Sequence, residues 1–201
     1  MWIKICGMTE PAAVSAALAL QVDAIGFVFA PSVRALAPLE AAALSAPARG
    51  RCALVAVTLH PAQPLVDEIV QVFRPDVLQT DLADLAGLRL PQALSQLPVL
   101  RAGAGADADA GVGLPPMLLF EGHRSGSGIT ADWPQAGRLA RATRLVLAGG
   151  LNANNVAAAI DAVHPFGVDV SSGVESSPGR KSAELIAQFV QAARAAAREV
   201  A

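Results

Sequence analysis

Few side chains in this 201-residue chain could do chemistry, and they are widely spaced. Cys6 closes the short strand-like run Trp2-Ile3-Lys4-Ile5-Cys6 and precedes Gly7, which permits a sharp turn. This puts a thiol where a strand runs into a loop, the edge at which parallel α/β architectures bind ligands. Taken alone, Cys6 reads as a small buried hydrophobe, since free cysteine is among the most buried residue types. As a working group it would act as the thiolate. Lys4, Arg101, Glu121 and Asp169 each sit in an apolar, strand-like run. Three loops, around Gly126-Ser127-Gly128, Gly149-Gly150 and Ser171-Ser172-Gly173, carry glycines that let backbone N–H groups approach an anion.

The elements that must position these groups alternate along the chain. Strand-like runs lie at 2–6, 24–29, 51–57, 76–79, 98–101, 116–121, 144–148 and 167–171. Helical stretches are expected at 9–20 (Thr9 as cap, Pro11 in the first turn), 38–47, 61–73, somewhere in 82–94, 134–142, after a cap at Asn152, and over 180–200. Residues 102–113 are so rich in Gly and Asp that helix five is short or missing. Eight strands alternating with helices predict a single (β/α)8 barrel domain over residues 1–201, at the low end of length for that fold. A doubly wound sheet is the structural alternative. In a barrel, the loops after strands seven and eight frequently form a phosphate site. That placement favours a phosphorylated ligand, although the dinucleotide and P-loop glycine patterns are absent.

Strand parity then predicts which side chains point inward. With Cys6 inside, so are Lys4, Gln79, Arg101, Leu119, Glu121 and Asp169. Interior charges are costly unless paired, and strands one and eight are neighbours in a closed barrel, so Lys4 is expected to pair with Asp169. Cys52 begins strand three, at the rim opposite Cys6, which predicts two unbridged thiols.

The bulk numbers exclude several classes. At 53% hydrophobic and 16% charged the chain is globular. A net charge of −2 and scarce aromatics give no basis for nucleic-acid binding or for attraction to anionic membranes. No apolar run spans a bilayer, and the N-terminus lacks the basic and apolar regions of a signal peptide, so a cytoplasmic protein is expected. His60, His123 and His164 share no ligand spacing with either cysteine, and no metal is expected.

Several blocks together resemble one family. These are Lys4-Ile5-Cys6-Gly7-Met8-Thr9, Gly26-Phe27-Val28-Phe29, Leu147-Ala148-Gly149-Gly150-Leu151-Asn152 with Asn155-Val156, and Val168-Asp169-Val170-Ser171-Ser172-Gly173-Val174-Glu175. They are similar, in order and from residue 3 to about 181, to phosphoribosylanthranilate isomerase of tryptophan biosynthesis, a cofactor-free (β/α)8 barrel. The resemblance implies an aldose–ketose isomerase that performs an Amadori rearrangement on N-(5-phosphoribosyl)anthranilate. It implies Cys6 as general base and Glu121 as general acid, where most members carry Asp. It also implies Arg34 as binder of the anthranilate carboxylate, Gln79 and Asp169 as substrate contacts, and Gly128, Gly149, Gly150, Ser172 and Gly173 around the phosphate. Asp81 departs from the family's His in Gln79-Thr80-Asp81, and Asp132-Trp133 matches a pair that starts a helix.

The partner implied is a small phosphosugar, with the protein a monomer or homodimer. The Glu121 and Asp81 departures keep open a non-catalytic or differently specific phosphosugar-binding barrel. The related histidine-pathway isomerases use Asp rather than Cys after strand one, so Cys6 argues against that reading.

Overall fold

The structure is a computed structural model that describes residues 1–102, 113–122 and 132–199. Eight parallel strands close into a barrel in sequence order: β1 (Trp2–Cys6), β2 (Ala24–Val28), β3 (Ala53–Val57), β4 (Val77–Asp81), β5 (Ser95–Arg101), β6 (Met117–Glu121), β7 (Arg144–Leu147) and β8 (Gly167–Val170). Closure is by β8 against β1, with Lys4 opposite Asp169 and Ile5 opposite Val170. The helices are α1 (Pro11–Ala19), α2 (Pro38–Ser45), α3 (Gln63–Glu68), α4 (Trp133–Ala140), α5 (Val156–Val163) and α6 (Ala183–Glu199). The segment expected to hold a reduced helix five falls mostly on residues 103–112, outside the described residues.

Strand alternation separates two cores. Outward-facing Ile3, Ile5, Ile25, Phe27, Leu54, Leu78, Leu118, Phe120 and Val168 pack on helix residues such as Val14, Ala17, Phe73, Ile186, Phe189 and Val190. Inward-facing Leu97, Val99, Leu119, Val146 and Ala148 fill the barrel, with Trp2, Val77, Met117 and Phe166 partly buried against them. The barrel is thus a packed core, and its polar residues collect at the C-terminal ends of the strands.

Local boundaries differ from the sequence reading in five places. Thr9 does not cap α1; Glu10 holds the cap position, and the Thr9 hydroxyl donates instead to the Gly179 carbonyl (2.7 Å). β3 starts at Ala53, so Cys52 lies just before it, half-buried against the core; neither cysteine is bridged. The region after β4 is a 3-10 segment, Leu82–Gly87, in place of the expected α-helix. Helix α5 starts at Val156 with Asn155, not Asn152, at its cap position. Residues 180 and 181 belong to a hairpin, β9 (Glu175–Ser177) with β10 (Arg180–Lys181), that precedes α6. Asp132 does start α4, its carboxylate accepting from the Gln135 N–H (2.9 Å).

Candidate active site

A cavity of about 440 Å³ opens at the C-terminal ends of the barrel strands. Cys6, Arg34, Gln79, Glu121, Gly149, Gly150, Asp169 and Ser172, all expected site residues, line it. Gly173 is not part of the lining. It packs behind, where any Cβ would overlap the Leu151 carbonyl oxygen. Gly128 and the loop around it lie outside the described residues.

The floor is set by β1 and β8. Lys4 Nζ donates to Asp169 Oδ1 at 2.8 Å, with both residues buried, as strand parity predicts. Strand β2 makes room for this pair and for the thiol. A Cβ on Gly26 would lie 3.1 Å from Cys6 Sγ and 3.2 Å from Lys4 Cε. Burial pushes the Cys6 thiol up from its ordinary value; Lys4 and Lys181 pull it down, and burial wins. Burial also works to lower the Lys4 ammonium, but Asp169 and the neighbouring thiol outweigh it and the net direction is up. Lys4 is therefore a permanent cation under Cys6. It favours the thiolate without making it the resting form.

On the opposite wall Arg101 joins two carboxylates. Its Nη1 reaches Glu121 Oε1 at 2.7 Å, and its Nη2 and Nε engage Asp81 from 2.8 Å. Both Asp81 and Arg101 point inward from strand ends, β4 and β5. Asp81, where the sequence reading finds no role, is thus the anchor of Arg101. His60, Asp81 and Asp84 form the one group among the described residues whose His and carboxylate atoms could meet on a metal, within 4.8 Å of one another. Its members already have partners: Asp84 receives His60 Nδ1 (2.8 Å) and the Thr80 hydroxyl (2.7 Å), while Asp81 receives Arg101.

Gln79 lines the cavity, and its Oε1 is buried with no hydrogen-bond partner. A buried amide oxygen left unpaired is costly, so a ligand donor is the natural partner for it. At the far rim, Gly149 and Gly150 both take left-handed backbone conformations (φ 89° and 64°). The Asn155 side chain holds that loop in place, donating to the Gly150 carbonyl (2.9 Å) and accepting from the Asn152 N–H (2.8 Å). After β8, Ser172–Val174 forms a single 3-10 turn. The two loops face one cavity, as an anion cradle requires.

Arg34, on the loop after β2, does not stand free. Glu175 grips its Nε (2.6 Å) and Nη2 (2.8 Å), and Lys181 reaches the same carboxylate at 2.7 Å. Burial raises the Glu175 carboxyl, but these cations and the Gly179 N–H outweigh it and bring it down to about 2. Burial lowers the Lys181 ammonium despite its carboxylate partner. Glu175 appears in the sequence only as the end of a matching block, and Lys181 carries no local signal.

Residues 3–192 match the family described as N-(5'-phosphoribosyl)anthranilate (PRA) isomerase. The N-(5'-phosphoribosyl)anthranilate isomerase of Mesorhizobium japonicum is 37% identical over 96% of this chain and 95% of its own length. The crystal structure of TrpF from Jonesia denitrificans superposes with a TM-score of 0.82 at 38% identity, covering 98% of each chain. A phosphoribosyl anthranilate isomerase in complex with reduced 1-(o-carboxyphenylamino)-1-deoxyribulose 5-phosphate superposes with a TM-score of 0.81 at 27% identity, covering 97% of this chain and 99% of the other.

Proposed function

The chain belongs to the N-(5'-phosphoribosyl)anthranilate isomerase family, and from that premise we propose that Cys6 and Glu121 divide its reaction between them. The reaction is the isomerisation of N-(5-phosphoribosyl)anthranilate to 1-(o-carboxyphenylamino)-1-deoxyribulose 5-phosphate, a step of tryptophan biosynthesis. It opens the sugar ring and shifts protons with no group gained or lost, so one acid and one base suffice. Glu121 gives a proton to the furanose ring oxygen, the C1′–O bond breaks, and the nitrogen lone pair forms the C1′=N bond. The Cys6 thiolate then takes the proton from C2′, giving an enolamine that settles as the ketone. Each group contributes about 10²–10⁴-fold where general acid–base catalysis is well positioned.

The observation that carries this reading is that Cys6 and Glu121 open from β1 and β6 onto one cavity whose rim is Gly149, Gly150 and Ser172. Phosphate bound at that rim orients the sugar, and remote binding energy is used at the reacting carbons. Gln79, with its unpartnered oxygen, receives a substrate hydroxyl, Asp169 contacts the sugar beside Lys4, and Arg34 takes the anthranilate carboxylate. Gly173 packs behind that rim and supports it. Glu121 must release its carboxylate from Arg101 to carry a proton, and Asp81, holding the other edge of that guanidinium, makes the release possible. A cytoplasmic location goes with this reading.

The test is to supply phosphoribosylanthranilate and follow its disappearance. Wild type is expected to turn it over, Cys6→Ala and Glu121→Gln to lose activity by at least about a hundredfold. Full activity in Cys6→Ala would remove the thiol from the mechanism. A wild type that binds the substrate without converting it would mark a phosphosugar-binding barrel.

A further inference from the structure

Behind the cavity wall lies a buried cluster that the two proton transfers leave unused. Glu175 and Lys181, on the two strands of the β9–β10 hairpin, have side chains 4% and 0% exposed and do not line the cavity. Arg34 does line it. Glu175 occupies the Nε–Nη2 edge of the Arg34 guanidinium, which leaves the Nη1 edge for a second planar anion. Two cations and one carboxylate leave the cluster with one net positive charge, so Glu175 orients Arg34 without cancelling it.

The cluster is tied to the reacting end of β1. Lys181 donates to the Ser171 carbonyl (3.0 Å), and the Ser171 hydroxyl donates to the Cys6 carbonyl (3.1 Å). Thr9 anchors the hairpin turn through Gly179, whose N–H donates to Glu175 (3.2 Å). Gly7 lies under the arginine stem: a Cβ there would come within 2.5 Å of Arg34 Cδ.

We propose that Glu175 and Lys181 are positioning residues that present one free edge of Arg34 to the substrate carboxylate, and so select carboxylated aryl amines over uncharged ones. The proposal rests on the assignment of Arg34 to that carboxylate. An arginine fixed before binding loses less side-chain freedom when the ligand arrives, and it offers a bidentate geometry that a mobile one does not hold. The effect belongs to binding, since the carboxylate stays ionised throughout the reaction.

The test uses two substrates, phosphoribosylanthranilate and the phosphoribosyl derivative of aniline, which lacks the carboxylate. Glu175→Gln is expected to raise KM for the first by about tenfold, the scale of one charge-assisted contact, with kcat within about twofold. For the aniline derivative its KM should not move. Glu175→Asp, which keeps the charge on a shorter stem, covers the case in which Glu175→Gln does not fold, and should give the same split in smaller measure. An equal loss on both substrates, or an unchanged KM on both, overturns the positioning role. Arg34→Met separates the two layers. If it discriminates between the substrates while the Glu175 variants do not, only the positioning role falls; if it treats both alike, the carboxylate assignment falls and takes the proposal with it.

Discussion

Cys6 illustrates how little a residue type says without its surroundings. A lone thiol reads as core, and Cys6 is indeed buried. Its chemistry comes from Lys4 beneath it, Gly26 beside it and the open cavity above. Because burial raises the thiol, the thiolate-dependent limb of kcat/KM should climb with pH and centre above the ordinary thiol value of about 8.5. A pH–rate profile checks this; a limb centred near pH 6 would mean that Lys4 and Lys181 dominate instead. Strand parity was enough to place Lys4 against Asp169 from sequence, because both lie on regular strands. Parity could not pair Arg34 with Glu175, 141 residues apart, because Arg34 sits on a loop that follows no period and Glu175 on a hairpin strand outside the barrel. Nor did it reach Asp81, since the strand-like run in the sequence stops at Gln79 whereas β4 continues to Asp81.

At the scale of elements, two connections carry predictable energetics. The first is β1 to β8. Lys4→Met would leave Asp169 buried without its cation, a loss of about 3–5 kcal/mol in unfolding free energy measurable by urea denaturation. A stability within about 1 kcal/mol of wild type would mean that water in the cavity solvates Asp169 well enough to replace the ammonium. The second is the β9–β10 hairpin. The folded-state carboxyl of Glu175 sits near 2 against an ordinary 4.5. A depressed carboxyl contributes stability that is complete above the unfolded value and fades as pH falls through the folded one. The denaturation midpoint should therefore drop between about pH 4.5 and 2, and less steeply in Glu175→Gln. The hairpin is hidden in the sequence because Arg180-Lys181 precede an amphipathic run and read as its first turn, whereas α6 begins only at Ala183. The strands themselves, apolar and evenly spaced, are legible to within three residues at each end.

Over the whole molecule, the cavity draws residues from β1 to β6, β8 and the loops after β2, β3, β7 and β8, so a ligand in it bridges elements from both halves of the barrel. A product analogue at about a hundred times its Kd should add about 2.7 kcal/mol of stability, a rise of roughly 5–10 °C in Tm for a chain of this size. Differential scanning fluorimetry checks this, with Gly149→Ala, strained at φ 89°, giving a smaller rise. The eightfold alternation made the closed barrel legible, while the connection between β5 and β6, where a short or missing helix was expected, falls mostly outside the described residues. One connection has a meaning in time as well as in space. Lys4 and Asp169 are separated by 165 residues. During synthesis the strand that carries Lys4 leaves the ribosome 165 residues before its counter-charge. Until β8 emerges, burial of the Lys4 ammonium has no carboxylate to offset its cost, so closure around an incomplete set of strands is disfavoured. A chain cut before β8 would keep the Cys6 thiol and Lys4 but lose the carboxylate that pairs with that lysine.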